Sequence, residues 1–314
     1  MMKKIGVIGA GTMGHGIANA FAMYGYDVKL YDTNQEVLDK AKQQIREELE
    51  LMASEDYIAA TEVEASLSRI KFSTDLFQTA VDRDYVIEAA PEIMELKQHL
   101  FSQLDEICPP STVLASNTSS LPLEGMMALV GNDRRERMMV NHMYNPAHLM
   151  PIVELSFFGN MPEEIYQEVD KLYRSIRKQP VKVLKDIPGL VANRIQQGLA
   201  REVFSLIEMG VAEPAEIDKA LKFGPAFRYA TTGHLEVADF GGLDIWRVVG
   251  DNLLKVMDNS QCANKLLRNK VEAGKLGIKT GEGFYTYSPE DVPEIREKFM
   301  KKLIHQLKAS EYYV

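Results

Sequence analysis

An open α/β architecture, with a mostly parallel sheet covered by helices on both faces and a helical domain after it, is the fold class this chain predicts. Three observations predict it. A short apolar strand, Lys4-Ile5-Gly6-Val7-Ile8, runs straight into Gly9-Ala10-Gly11-Thr12-Met13-Gly14. Strand and helix signals then alternate, and the strands are continuous apolar runs rather than alternating ones, as in sheets buried on both faces. After Asp186-Ile187-Pro188-Gly189 strand signals nearly vanish and helical periodicity takes over.

Each element follows from local chemistry. Gly9 allows a sharp turn, Gly11 lets backbone N–H groups approach a pyrophosphate, and Gly14 lets the next helix lie close to the strand. The helix expected over 12–24 carries Met13, Ile17, Ala20, Phe21 and Tyr24 at helical spacing and ends at Gly25. Its positive end, with Thr12 and Met13, faces the phosphates. A second strand over 27–31 ends on Asp32, whose carboxylate accepts from adenosine ribose hydroxyls and repels a 2′-phosphate. No Arg follows in Thr33-Asn34-Gln35, so NAD is expected rather than NADP.

Helices over 35–52 and 56–67 form a pair that interrupts the alternation. It resumes with a strand over 69–73, a short helix over 75–80, a strand over 85–90, a helix over 93–108 stopped by Pro109-Pro110, and a strand over 112–115. Ligands of such sheets bind beyond the carboxyl ends of the strands, which here carry the glycine loop, Asp32, Ala90-Pro91-Glu92 and Ser116-Asn117-Thr118-Ser119. Strands over 137–142 and 152–155, a helix over 162–178 and a strand over 181–184 close the sheet. Asp186-Ile187-Pro188-Gly189 reads as the linker, giving domains 1–186 and 187–314, the second with helices over 191–209, 214–222, 243–257 and 290–308.

A length of 314 residues accommodates two cores, and 46% hydrophobic with 26% charged residues is ordinary for a globular chain. A net charge of −9 argues against nucleic acid or an anionic membrane as main partner. Cys108 and Cys262 form no C-x-x-C or other metal-ligand spacing, so no metal is expected and a reducing compartment is. Lys3 and Lys4 before an apolar run have the look of a secretory signal, but glycines break the run at once. No stretch approaches the ~18 uninterrupted apolar residues of a spanning helix, and a cytoplasmic protein is expected.

His142 and Glu154 stand at the ends of strands on the cofactor half. When a hydride leaves an alcohol carbon for NAD, the hydroxyl proton must leave too, and an imidazole can take it. A carboxylate on the other ring nitrogen fixes the tautomer and stabilises the imidazolium. Spacing alone does not show that the two touch. Ser119 and Asn145 are natural donors to a substrate oxygen, and also common turn formers. Asn193 stands near the start of the first helix beyond the linker, and Lys279-Thr280-Gly281-Glu282-Gly283-Phe284-Tyr285 reads as a glycine turn before an aromatic segment.

In these residues and their order the chain resembles the L-3-hydroxyacyl-CoA dehydrogenase family from Lys4 to about Tyr287. Five motifs coincide in order: the glycine loop; Ala115-Ser116-Asn117-Thr118-Ser119-Ser120-Leu121; His142-Met143-Tyr144-Asn145-Pro146; Ile187-Pro188-Gly189-Leu190-Val191-Ala192-Asn193-Arg194; and the segment from Lys279 to Tyr285. The resemblance implies a Rossmann-type domain with a helical hairpin insertion, an all-helical C-terminal domain that forms a homodimer, and a role in fatty acid metabolism. It implies His142 as base paired with Glu154, Ser119 and Asn145 on the substrate oxygen, and Asn193 completing the pocket. It also places Glu92, Lys97, Asn117, Ser119 and Asn145 along NAD, with Lys279 reaching the cofactor from the second domain.

The implied reaction is NAD-dependent oxidation of the 3-hydroxyl of a 3-hydroxyacyl-CoA, such as 3-hydroxybutyryl-CoA. Three features depart from the acyl-CoA pattern, the last two toward relatives that oxidise free hydroxy acids or pyridine alcohols. Where acyl-CoA members carry a Lys- and Gly-rich hairpin tip, this chain has Leu51-Met52-Ala53-Ser54-Glu55-Asp56-Tyr57, poorly suited to a polyanion, with Arg69 and Lys71 further on. Met150-Pro151 precedes the Glu154 strand, and Gly224-Pro225-Ala226-Phe227-Arg228-Tyr229 resembles a segment of gulonate and carnitine dehydrogenases, in which Arg228 can clamp a carboxylate. A third reading, an NAD-binding structural protein without activity, is opposed by the joint presence of Ser119, His142, Asn145 and Glu154.

Overall fold

The computed structural model describes residues 2–313, and the chain divides into two compact units, Met1–Val191 and Ala192–Val314. The first unit holds an eight-stranded sheet in the order β3-β2-β1-β4-β5-β6-β7-β8. Its strands are β1 (Lys4–Ile8), β2 (Asp27–Tyr31), β3 (Ile70–Ser73), β4 (Tyr85–Glu88), β5 (Val113–Ser116), β6 (Met138–Met143), β7 (Ile152–Ser156) and β8 (Gln179–Val183). All neighbours run parallel except β6 and β7. Ile5, Val7, Val86, Ile87, Val113 and Leu114 are fully buried, because helices cover both faces of the sheet. The order reverses between β1 and β4, the switch point where such sheets bind ligands.

The covering helices are α1 (Gly14–Ala22), α2 (Gln35–Ser54), α3 (Thr61–Ser68), α4 (Leu76–Ala80), α5 (Met94–Ile107), the short α6 (Leu123–Met126) and α7 (Asn132–Arg135), and α8 (Glu163–Ser175). In α2, Leu38, Ala41, Ile45, Leu49 and Met52 recur at three- and four-residue spacing and are buried, while the Asn34 side chain caps the start by accepting from Glu36 N–H. The second hairpin helix begins at Thr61 rather than near 56, since Asp56 takes a φ of +53° that turns the chain out of the right-handed helical region. The stretch 186–191 is tied to the first unit: Asp186 Oδ2 accepts from Leu123 N–H at 2.8 Å and Gly189 N–H donates to Ser119 O at 2.9 Å.

The second unit contains α9 (Ala192–Glu208), α10 (Pro214–Phe223), α11 (Pro225–Thr232), α12 (His234–Gly241), α13 (Leu243–Leu253), α14 (Lys265–Glu272) and α15 (Val292–Ser310). The segment 279–285 folds into a tight turn in which a Cβ on Gly283 would stand 2.7 Å from Gly277 Cα, while Phe284 stacks on Phe204. Among the described apolar residues of this unit only Ile217, Val237, Ala238 and Ile304 are buried; Phe227, Leu235, Phe240, Leu243 and Leu254 are largely exposed. No helix among the described residues is long and apolar enough to cross a membrane.

Candidate active site

At the switch point the glycine loop has the shape a pyrophosphate requires. A Cβ on Gly14 would lie 1.7 Å from Gly9 O, and one on Gly9 would lie 2.7 Å from Ala89 O at a φ of +103°. Over Gly11, by contrast, nothing stands within 4 Å, so the backbone there is open to close approach. Asp32 closes the far side: Oδ2 accepts from Ala10 N–H at 2.9 Å and Oδ1 from Asn34 N–H at 3.1 Å. A cavity of about 640 Å³ connects Gly11, Thr12, Met13, Asp32 and Ala90, a volume and lining that fit a dinucleotide.

Beyond the end of β4 Lys97 and Glu92, both expected along NAD, join a charged cluster around Glu88, which the sequence reading did not single out. Glu88, fully buried as the last residue of β4, takes hydrogen bonds from Lys97 Nζ at 2.6 and 2.8 Å, from Ala90 N–H and from Ser116 Oγ. The ammonium of Lys97 also lies 3.3 Å from Glu92 Oε2. Burial pushes the Glu92 carboxyl up, but hydrogen bonds from Thr118 and Ser120 and the Lys97 charge outweigh it and hold the group below its usual value. A glutamate ending an apolar strand, nine residues before a lysine in the next helix, was the available signal.

The His142–Glu154 dyad is a consequence of register. In the antiparallel pair β6–β7, His142 stands directly opposite Glu154, and its Nδ1 lies 2.8 Å from Glu154 Oε2. Glu154 is fully buried, and its Oε1 accepts from Val191 N–H at 2.8 Å. Both carboxylate oxygens are therefore engaged, which fixes the imidazole orientation. Asn117 Oδ1 accepts from Met143 N–H at 2.9 Å, tying the end of β6 to the loop that carries Ser119. The Tyr144 ring meets His142 edge-on at 5.1 Å, and burial together with the Glu154 charge pushes its phenol up to about 12, so it stays protonated at neutral pH. Ser119 is half-buried and Asn145 exposed, on the loops after β5 and β6.

Asn193, Arg228 and Lys279 belong to the second unit: Asn193 in the first turn of α9, exposed Arg228 on α11, and Lys279 lining a cavity of about 560 Å³ with Phe204 and Phe284. No group of three or more His, Cys, Asp or Glu among the described residues is placed to hold a metal ion.

A switch-point dinucleotide cradle with a histidine–carboxylate pair beside it defines an NAD-dependent dehydrogenase class. The chain belongs to the 3-hydroxyacyl-CoA dehydrogenase family: its NAD binding domain matches residues 4–187 and its C-terminal domain residues 189–287. NAD is accordingly its cofactor, and the chain is an oxidoreductase acting on CH–OH groups. A probable 3-hydroxybutyryl-CoA dehydrogenase of Deinococcus radiodurans is 38% identical over 285 residues, covering 90% of this chain and 100% of that protein. The 5-formyl-3-hydroxy-2-methylpyridine 4-carboxylate 5-dehydrogenase of Mesorhizobium japonicum is 30% identical over 304 residues, covering 97% of each. The crystal structure of an enzyme of that last activity, described as an NAD+-dependent dismutase, superposes with a TM-score of 0.90 at 30% identity over 99% of both chains. The (S)-3-hydroxybutyryl-CoA dehydrogenase of Ralstonia eutropha gives 0.73 at 32% identity, over 92% of this chain and 100% of that one.

Proposed function

We propose that the protein oxidises a secondary hydroxyl near a carbonyl, with 3-hydroxyacyl-CoA esters such as 3-hydroxybutyryl-CoA as the first substrate class. The observation that carries the reading is the 2.8 Å contact between His142 Nδ1 and the fully buried Glu154. Nδ1–H donates to the carboxylate, which leaves Nε2 as the base that takes the hydroxyl proton, and the buried charge stabilises the imidazolium that results. Ser119 and Asn145 donate to the substrate oxygen. Bound NAD supplies the hydride acceptor. The glycine loop with Thr12 and Met13 holds its phosphates, Asp32 its adenosine ribose, and Glu92, Lys97 and Asn117 the nicotinamide half. On the family likeness Asn193 is assigned to substrate and Lys279 to cofactor, and on its likeness to gulonate and carnitine dehydrogenases Arg228 is assigned to a substrate carboxylate. A cytoplasmic location accompanies this reading. Replacement of His142 by Ala lowers turnover by ~10²–10⁴ while NADH still binds; undiminished turnover excludes His142 as the base.

A second reading, a CoA-free hydroxy acid or heteroaromatic alcohol, is favoured by the hairpin. From 47 to 68 the chain has no Lys or Arg, while Glu47, Glu48, Glu50, Glu55, Asp56, Glu62 and Glu64 are all acidic. The flanking arginines are engaged: Arg46 pairs with Glu64, and Arg69 donates to Ala22 O at 2.9 Å and to Glu62 at 3.3 Å. Oxidation of NADH by acetoacetyl-CoA, run beside reduction of NAD by gulonate, carnitine and free 3-hydroxybutyrate, separates the two. Rapid turnover of the thioester supports the first; silence there, with free-acid activity that disappears in Arg228→Ala, supports the second.

The exposed apolar side chains of the second unit support a homodimer formed through that unit, as the family likeness implies. Light scattering that returns the mass of one chain overturns this.

A further inference from the structure

Directly behind the glycine loop lies a buried cluster of ionisable groups that the proposed reaction does not use. His15, in the first turn of α1, is 7% exposed; its Nδ1 lies 2.8 Å from Gly11 O and its Nε2 3.0 Å from Glu48 Oε1. Glu48, on α2, takes a second hydrogen bond from Asn19 Nδ2 at 3.0 Å on Oε2. His148, 4% exposed, brings Nδ1 to 3.2 Å from the same Oε2 without hydrogen-bond geometry. Lys178 Nζ donates to Ala147 O at 2.6 Å and Met150 O at 2.7 Å, on the same loop as His148. This loop packs against α1, since a Cβ on Gly16 would stand 3.3 Å from Ala147 Cβ.

Both atoms that face the His15 ring are acceptors only, a carbonyl and a carboxylate. A neutral imidazole has one N–H, so either tautomer sets a lone pair against one of them; the imidazolium satisfies both. Gly11 O then takes two hydrogen bonds from the same residue, from the ring and from His15 N–H at 3.3 Å. Pinning that carbonyl also pins the N–H of Thr12, which lies on the opposite side of the same planar trans peptide. At a helix N-terminus that N–H points outward, toward a bound phosphate. Because Glu48 neutralises the ring, the effect is one of orientation rather than long-range attraction.

We propose that His15 is a positioning residue for the dinucleotide: as an imidazolium it holds the Gly11–Thr12 peptide in the orientation that receives the pyrophosphate, and losing its proton releases that peptide and weakens NADH binding. The surroundings support the charged form. Burial opposes it, but the Glu48 hydrogen bond and charge and the Gly11 carbonyl outweigh burial and raise His15 above 6.5. The contribution is therefore complete below 6.5 and is lost as pH rises through the raised value. Burial brings His148 down to about 4; Glu48 opposes this, and Lys178 and His15 reinforce it, so His148 stays neutral and does not take the Glu48 charge. Lys178, brought down to about 7 by burial, titrates in the same range and is present in every variant below.

The test is the dissociation constant of NADH for the full chain, measured by fluorescence from about pH 6 to about pH 9, which requires no knowledge of the substrate. In the wild type, binding weakens by roughly tenfold across the inflection, the scale of one orienting hydrogen bond. His15→Gln, with one donor group and one carbonyl, binds at the weak level throughout with a flat profile. Glu48→Gln moves the inflection to lower pH. Calorimetry in buffers of different ionisation enthalpy shows proton uptake on NADH binding by the wild type and none by His15→Gln. Should His15→Gln fail to fold, NMR of ring-labelled histidine in the wild type decides: His15 is doubly protonated below the inflection, and NADH moves its titration upward. A flat wild-type profile, an inflection that survives in His15→Gln, or a neutral His15 ring at the acid end overturns the proposal.

Discussion

Replacing Glu154 with Gln keeps the shape of the dyad and inverts its hydrogen bonding. Glu154 Oε1 accepts from Val191 N–H at 2.8 Å, and Oε2 faces His142 Nδ1 at 2.8 Å. A glutamine in the same place keeps its carbonyl oxygen on Val191 N–H, and its NH₂ then points at Nδ1. Nδ1 must accept, so the ring proton moves to Nε2, the nitrogen proposed above to take the substrate proton. The imidazolium also loses a charge-assisted hydrogen bond, about 1.5–3 kcal/mol, or roughly tenfold to 150-fold. Blocking the base extends this toward the ~10²–10⁴ of a lost acid–base group. The assay is kcat from NADH absorbance at saturating substrate, with NADH affinity measured in parallel. The expected result is a fall in kcat with unchanged NADH binding. A kcat within about fivefold of the wild type, small beside that range, would refute the orienting role of Glu154.

Three more outcomes follow from the geometry. Asp32→Ala removes the acceptor for the ribose hydroxyls and lowers kcat/KM for NAD by roughly 10–100-fold while NADP improves relative to it; unchanged discrimination in steady-state kinetics sinks the role. Lys97→Met leaves the fully buried Glu88 without its ammonium and destabilises the first unit by about 3–5 kcal/mol, read as a lowered urea midpoint; an unchanged midpoint contradicts it. His148, held near 4 when folded against 6.5 when unfolded, lends stability that is complete above 6.5 and lost as pH falls toward 4. That gap corresponds to roughly 3 kcal/mol, so His148→Gln flattens the acid limb of the stability profile, and superimposable limbs rule the effect out.

The first unit was largely legible because its signals are local. A continuous apolar strand announces burial on both faces, and the spacing of Gly9, Gly11 and Gly14 states a backbone requirement visible in the structure, where a Cβ would come within 1.7 Å of backbone at Gly14 and 2.7 Å at Gly9. Spacing marked His142 and Glu154 as residues at or near strand ends, but their pairing came only from the family resemblance, because antiparallel register depends on the course of the chain over 144–151, which periodicity does not encode. The pairing of Lys97 with Glu88 and Ser116 and the His15–Glu48–His148 cluster escaped for the same reason: each joins three separate stretches of chain, and a glutamate within α2 looks like any solvated helix residue until its neighbours arrive. In the second unit α11, α12 and α14 were not resolved individually; for α11 and α12 the reason is that glycines at 224, 233, 241 and 242 break the helical pattern into pieces of eight residues.

The hydrogen bond from Val191 N–H to Glu154 bears on how this polypeptide can be divided. A fragment that stops at 186 has the sheet, the glycine loop and both members of the dyad, yet it lacks the amide that occupies Glu154 Oε1. One that runs to 191 carries that amide, along with Gly189, whose N–H reaches Ser119 O. Five residues with no reactive side chain thus separate a fragment that holds Glu154 through both carboxylate oxygens from one that has lost the Val191 hydrogen bond. Dissecting the chain or fusing it to another partner has to respect that short tail as part of the support of the His142–Glu154 pair.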